Sequence, residues 1–386
     1  MSPKNILYVT INSLSGKLVP EWLDELELLL YILLIGNGSI LLIITKITKN
    51  FMASVTIRDV AKYAGVGVAT VSRVLNASPQ VREATRHKVE AAIEILGFTP
   101  NQAARRLSGG KTRTIGVVVP FFTNPSVVRR VQGIISVLRE LDYDLVLFDV
   151  ESATKRHQSL EKIPRRKLVD GLLIISLNPN DRVVEELAVA DLPTVLVDAH
   201  HIHLSKVVVD NVLGGYQATR HLIELGHCKI GYISDYLESP FNRPVMDRYH
   251  GYRQALESFN IPFNPAYHQQ GIHGRDEAKR MAHQLLTMTD RPTAIFAYSD
   301  TQAIGVMETA KELNIPIPDQ LSIIGFDNIE ISEYLNLTTI RQALFDSGVK
   351  GCQLLLENMA HPFAQPKQIL LPIELIVRGT TAPPNN

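Results

Sequence analysis

The stretch GVGVATVSRVLN, Gly65 to Asn76, decides how the rest of the chain is read. Two glycines, Gly65 and Gly67, stand at its head, and a small, β-branched run leads to a lone arginine, Arg73. Upstream, Thr56 is suited to cap a helix, with Asp59 three residues on. Ile57, Val60, Ala61 and Ala64 then fall at the i, i+3, i+4, i+7 spacing of a helix with one apolar face. Gly65 ends that helix, and Val66–Gly67 makes a tight connection. The spacing predicts a second helix from about Ala69 to Leu75, with Val71, Val74 and Leu75 on its buried side. A third helix, after Pro79, turns Thr85, Val89, Ala92, Ile93 and Leu96 inward before Gly97 and Pro100 stop it. Two short helices joined by a glycine-containing turn and backed by a third make a helix-turn-helix module.

In such a module the first residues of the second helix reach base edges in the DNA major groove. Val68 and Ala69 hold that end. Thr70 and Ser72 can donate hydrogen bonds, and Arg73, one turn in, can span a guanine edge. Periodicity alone also admits a plain helical hairpin. Charge adds to the case. From Met52 to Arg113 there are ten Lys/Arg against four Asp/Glu, a net of +6, while the whole chain is formally neutral. A basic module on a neutral remainder is the footprint of a nucleic-acid binder, although a solvated charged face has the same composition.

From Thr114 the texture changes. Apolar runs bounded by turn residues recur: IGVVVP from Ile115, YDLVLFDV from Tyr143, DGLLIIS from Asp170, PTVLVD from Pro193, KIGYIS from Lys229, TAIFAYSD from Thr293 and LSIIGFDN from Leu321. Helical patterns alternate with them. Strands apolar on both faces, alternating with helices, imply parallel α/β sheets that bind ligands at the strands' carboxyl ends. The number of strands suggests two lobes with a cleft between them.

Other features exclude function classes. The two cysteines, Cys228 and Cys352, form no CxxC, which fits a reducing cytoplasm. His200, His201 and His203 read as a solvated loop rather than a metal site, because no carboxylate or thiol joins them at useful spacing. No G-x-S-x-G elbow, phosphate loop or metal spacing emerges, so an enzyme is not expected, and no cofactor beyond a small-molecule effector. Leu28 to Ile44 is nearly continuous apolar sequence, at the lower edge of a membrane span of ~20 residues. Acids precede it and lysines follow. Residues 1–51 are read as translated from an upstream start, with the natural start at Met52 and membrane attachment as the alternative.

VTIRDVAKYAGVGVATVSRVLN, followed by VREATRHKVEAAIEILGFTPNQAARRLSGGKTRTIGVVVP, resembles the lactose/galactose-repressor (LacI/GalR) family of bacterial transcription regulators. The resemblance runs from Val55 to the end. It implies a three-helix module over 52–99, a hinge helix over 100–112, and a two-lobed periplasmic-binding-protein-like effector and dimerisation domain over 113–386. Lobe 1 covers about 113–211 and 342–370, and lobe 2 about 212–341 and 371–386. By resemblance Val68 and Ala69 take the operator-specificity positions, in a pair of the galactose-repressor type, and Arg73 makes a base contact. Thr56, Thr70, Ser72, Asn76 and Asn101 are further DNA-side candidates. The resemblance further implies a hinge that orders on operator binding and enters the minor groove, with Leu107 as the wedge between central base pairs and Ala104 beside it. That matches an apolar wedge that unstacks a step and kinks the duplex.

In the effector domain the resemblance points to Phe121, Phe122 and Asn124 of PFFTNP, Asp198, Arg248 of the RxxG pattern, Ser299 and Asp300, and Phe326 and Asp327 of IGFDN. Carboxylates and a planar arginine suit paired hydroxyls, and an aromatic face suits the C–H side of a sugar. The family often has Asn or Gly-Asp where Ser299–Asp300 stands, which points to a ligand different from its well-known sugars. The expectation is a cytoplasmic, ligand-responsive repressor of carbohydrate genes, a homodimer or tetramer on near-palindromic operator DNA. The rival is a membrane-tethered or exported sugar receptor, and a third reading is a regulator answering to a phosphorylated partner protein.

Overall fold

The computed structural model describes residues 55–75, 78–98, 112–150, 160, 162–163, 168–238, 243–361 and 365–385. The chain divides into two compact units at Lys111/Thr112. The first unit holds α1 (Ile57–Ala64), α2 (Val68–Leu75) and α3 (Glu83–Leu96). Asp59 accepts hydrogen bonds from Thr56 N (2.8 Å) and Thr56 Oγ1 (2.6 Å), which fastens the start of α1. Gly65 and Gly97 close α1 and α3 in the left-handed region (φ 65° and 60°), where a Cβ would be strained. Val60, Ala61, Val71, Val74, Val89 and Ala92 form the core that the helical spacing predicts, and Phe98, which that spacing does not name, joins them.

The second unit is α/β. Its strands are β1 (Thr114–Val119), β2 (Asp144–Asp149), β3 (Gly171–Ile175), β4 (Thr194–Val197), β5 (Ser205–Val209), β6 (Ile230–Asp235), β7 (His268–Gly271), β8 (Ala294–Ala297), β9 (Ser322–Asp327), β10 (Thr338–Gln342), β11 (Gln368–Leu371) and β12 (Ile373–Ile376). Among the described residues these form two six-stranded sheets, ordered β11-β5-β4-β3-β1-β2 and β12-β10-β9-β8-β6-β7. All pairings are parallel except β10 with β12. The helices are α4 (Pro125–Leu138), α5 (Asp181–Val189), α6 (Asn211–Glu224), α7 (Arg243–Ser258), α8 (Arg275–Leu286), α9 (Asp300–Glu312), α10 (Glu330–Tyr334) and α11 (Leu344–Ala360).

Each sheet makes one lobe. β1, β3 and β4 are buried along their whole length, as strands covered by helices on both faces must be. The chain passes between lobes three times: after β5 into α6, after β10 into α11, and between β11 and β12. α6 packs against α7 in lobe 2, and α11 packs against α4 in lobe 1. The seven apolar runs read from the sequence are β1, β2, β3, β4, β6, β8 and β9.

Candidate functional site

The carboxyl ends of both sheets face a cleft of about 360 Å³. Phe121 follows β1, Ser176 follows β3, Asp198 follows β4, and Asp327 ends β9. All four hold positive φ (52°, 51°, 54° and 116°), although none is glycine. Backbone held this way costs free energy and gathers at ligand sites, where the surrounding packing imposes it.

Six side chains close a ring across the floor of the cleft. Arg130, on α4, donates from Nη2 to Asp198 Oδ2 (3.0 Å) and to Gln342 Oε1 (2.9 Å). Asn211, the first residue of α6, donates from Nδ2 to Asp198 Oδ1 (3.2 Å) and accepts from Arg248 Nε (2.9 Å). Arg248, on α7, lies 3.7 Å from Asp327 Oδ1 and donates to the Tyr298 carbonyl (2.8 Å). Gln342 Nε2 donates to Asp327, which completes the circuit. Lobe 1 supplies Arg130 and Asp198, lobe 2 supplies Arg248 and Asp327, and the two amides stand where the chain crosses over.

The arginines balance the carboxylates, and all six residues are buried. Burial raises the Asp327 pKa above the usual carboxylate value, against the pull of Arg248 and Arg130. Arg130 Nε is buried without a hydrogen-bond partner. An orphaned donor of this kind costs stability unless something fills the site. Arg248 is also sandwiched by rings, 3.6 Å from the centroid of Phe326 and 4.5 Å from that of Tyr298.

A second polar group sits on the lobe 2 wall. His273 Nδ1 is 3.1 Å from Asp235 Oδ1, which also accepts from Gln302 Nε2 (2.9 Å). Burial works against a charged His273, but Asp235 outweighs it and raises the imidazole pKa above its ordinary value. Tyr236 and Ile272, beside them, line the cleft and stay more than half exposed.

Of the effector candidates, Phe121, Asn124, Asp198, Arg248, Ser299 and Asp327 line the cleft. Phe122, Asp300 and Phe326 do not, each for a physical reason. Phe122 is exposed, and its N–H bonds Asp149 Oδ1 (3.2 Å). Phe326, one residue before Asp327 on β9, is wholly buried in the lobe 2 core and lays its ring 3.6 Å from the Arg248 guanidinium. Asp300 is wholly buried and spends its carboxylate on Ile329 N (3.0 Å), Ser332 Oγ (2.6 Å) and Thr339 Oγ1 (2.6 Å). Burial, with the nearby Asp327 charge, raises its pKa to about 7.

Sequence reasoning passed over Arg130, Ser176, Asn211, Asp235, His273 and Gln342. Arg130 had a signal: RVQG (Arg130 to Gly133) repeats the RxxG spacing of RYHG (Arg248 to Gly251). The histidine loop also needs one amendment. The fold brings Asp181 to 3.0 Å from His201 Nε2, a carboxylate partner absent at close sequence spacing. Among the described residues no group of three or more His, Cys, Asp or Glu could hold a metal ion.

On the DNA-side candidates, Val68, Ala69 and Arg73 are exposed on α2, and Thr70 and Ser72 are half-buried. Val71 and Val74 are buried beneath them, and Leu75 is half-buried. The helix therefore presents one face outward and one to the core. Asn76, Asn101, Ala104 and Leu107 lie outside the described residues, as do residues 1–54. No helix among the described residues is long and apolar enough to cross a membrane.

Comparison with known proteins adds the context of a family. The model described as "Bacterial regulatory proteins, lacI family" matches residues 56–101, and that of a "Periplasmic binding protein-like domain" matches residues 219–381. The HTH-type transcriptional repressor PurR of Vibrio vulnificus is 34% identical over 330 residues, 84% of this chain and 98% of that protein. The lac repressor dimer bound to operator and the anti-inducer ONPF superposes with a TM-score of 0.72 at 28% identity, covering 85% of this chain and 99% of that one. A LacI family transcriptional regulator from Enterococcus faecium with bound ribose gives a TM-score of 0.64 at 31% identity, covering 70% of this chain and 99% of the other.

Proposed function

The chain belongs to the lacI family of bacterial regulatory proteins, and on that footing we propose that it is a cytoplasmic, homodimeric repressor whose operator affinity is set by a sugar or sugar derivative held in the inter-lobe cleft. The observation that carries this reading is the closed ring of Arg130, Asp198, Asn211, Arg248, Asp327 and Gln342. It offers paired donors and acceptors with charges already balanced. That composition suits neutral vicinal hydroxyls, each of which both donates and accepts. The E. faecium relative with ribose points the same way. The relatives are DNA-binding regulators, so the rival reading of a tethered sugar receptor gains no support from them.

The ring also supplies a mechanism. Its members come from both lobes and from two of the three crossovers, so a ligand that bridges Asp198 and Asp327 favours one lobe angle over another. A ligand changes DNA affinity only through its differential affinity for the two states, worth about 1–3 kcal/mol of coupling. In this proposal two α2 helices read the half-sites of a near-palindrome through Val68, Ala69 and Arg73, and symmetry of the dimer dictates symmetry of the operator. The lobe angle sets whether the two hinge segments, with Leu107, stand in register. No reaction is assigned to the cleft.

The test uses the full-length protein. An operator selected from random DNA is labelled, and binding is followed by fluorescence anisotropy with and without a panel of neutral sugars. A sugar should shift the operator midpoint by about 5–150-fold. If no sugar shifts it while nucleobases or nucleosides do, the sugar reading is wrong.

A further inference from the structure

The turn that carries Asp327 is held from outside the cleft. Asp327 and Asn328 both keep positive φ, 116° and 55°. Among the described residues no other two neighbouring residues, glycine apart, do so. Asp and Asn tolerate such backbone better than most residues but still at a cost, so two in succession persist only where their surroundings impose it. The connection that follows is tight. β9 and β10 are parallel neighbours, and a crossover between such strands usually takes a dozen or more residues. Here Asn328–Leu337 makes it with the short helix α10 alone, and Asn336, near its end, has φ 54°.

Three successive residues of the turn are each held by a different element. Gln342, which ends β10, donates to Asp327 Oδ1. Arg378, after β12, donates from Nη2 to Asn328 Oδ1 (2.7 Å). Ile329 N donates to Asp300 Oδ2 (3.0 Å), at the start of α9. Arg378 also donates from Nη1 to Leu337 O (2.6 Å). One planar guanidinium thus joins the first residue of the connection to its last, a task suited to a rigid fork of donors. The backbone beside it follows the same path: Arg378 N donates to Thr338 Oγ1 (3.0 Å) and Gly379 N to Asn336 O (3.0 Å). A Cβ on Gly379 would lie 2.1 Å from Asn336 Nδ2, so the segment is pressed onto the connection. Neither Arg378 nor Asn328 lines the cleft.

We propose that Arg378 is a positioning residue of the effector site: its clamp on Asn328 holds the positive-φ turn that sets the Asp327 carboxylate in the ring. This rests on the reading of that ring as the effector floor. Arg378 touches no effector itself. It acts through Asn328 on Asp327, where Gln342 and Arg248 then meet a carboxylate already in place.

Crystal structures of ligand-free variants, and titration calorimetry with D-ribose, D-glucose and D-galactose, test this on the full-length protein. In Arg378→Met the Asp327 carboxylate should leave Gln342, and a sugar that binds the parent should bind about 10-fold or more weakly, the size of one lost hydrogen bond to a charged group. Asn328→Ala, which leaves the bond from Arg378 to Leu337 in place, should do the same and carries the test if Arg378→Met does not fold. Glycine takes positive φ freely, so Asn328→Gly, alone or with Arg378→Met, should keep Asp327 in the ring and stay within about threefold of the parent. A role confined to stability predicts no such contrast between alanine and glycine. Asp327 in its parental place in Arg378→Met, or equal affinities in Asn328→Ala and Asn328→Gly, overturns the proposal. If none of the three sugars binds the parent, that counts against the sugar reading alone, and the position of Asp327 in the ligand-free crystals decides the clamp either way.

Discussion

Replacing Arg248 by alanine should unseat the floor of the cleft, and the size of the effect follows from what the guanidinium holds in place. It is 2% exposed, donates to Asn211 Oδ1 and the Tyr298 carbonyl, and faces Asp327 at 3.7 Å. Its removal leaves Asp327, itself 6% exposed, without its near cation. Breaking a buried pair from one side costs about 3–5 kcal/mol, and an orphaned acceptor adds about 1–3 kcal/mol where water does not replace the donor. Such terms overlap, so about 4 kcal/mol is the working figure. At the low end of the scaling for large domains this lowers the melting midpoint by roughly 10 °C. The destabilisation should shrink toward acid. Asp327 already has a raised pKa, and without Arg248 it rises further, so stability is lost as pH climbs through that value. The double variant Arg248→Met/Asp327→Asn removes both charges and should recover most of the drop in melting midpoint, while the operator stays deaf to sugar. Additive single and double effects in thermal melts would refute the pairing. An Arg248→Ala protein whose sugar affinity stays within about threefold of the parent would refute its place in the ligand site.

Three further outcomes are expected. Asp300 has its pKa raised to about 7, so the folded state holds a proton that the unfolded chain releases near its ordinary value of 3.8. Stability of the α/β unit should therefore fall as pH rises from about 4 to about 7, and urea melts of Asp300→Asn should lose most of that slope. Arg73→Ala should cost about 1–3 kcal/mol at one base pair of each half-site, and a binding-site selection that returns the parent preference at every position would remove its reading role. Gly251→Ala should destabilise by about 1–3 kcal/mol or more, because the new Cβ would lie 2.1 Å from Val212 O and 2.5 Å from Tyr216 N, both backbone atoms. Thermal melts of Gly251→Ala within a degree of the parent would show that the helices separate freely.

Legibility in the sequence followed the strength of local signals. The helix-turn-helix core was readable because its apolar spacing, glycine stops and capping box all act within a few residues. The seven long apolar strands were readable because burial on both faces leaves a continuous hydrophobic run. β5, β7, β10, β11 and β12 were not: HQQG carries no apolar run at all, and TTIRQ mixes a charge into a buried strand. Their pairing is set by neighbours far along the chain. The cleft followed the same rule. Asp198, Arg248 and Asp327 were reached through the family resemblance that short motifs carry, but Arg130 meets Gln342 across 212 residues of sequence. Asp300 shows the converse error, since a carboxylate beside a cleft-lining serine looks like a ligand group until its hydrogen bonds are counted.

What local reading did contain was an internal repeat whose meaning needs three dimensions. Arg130 and Arg248 each stand three residues before a glycine, Gly133 and Gly251. A Cβ on Gly133 would lie 2.1 Å from Phe345 O, and one on Gly348 would lie 1.9 Å from Arg130 O. In lobe 2 the same relation holds between Gly251 and Val212 O (2.1 Å), and between Gly215 and Arg248 O (2.2 Å). Each arginine helix is thus pressed backbone to backbone against the helix that follows a crossover, α11 for α4 and α6 for α7. Those crossovers also deliver Gln342 and Asn211, the amides that join the two Arg–Asp pairs. A change in lobe angle must pass through the crossovers, so it must move the amides relative to the arginines they bridge. The ring is therefore built on the crossover segments themselves, and in the function proposed above a ligand seated on it would act on those segments directly.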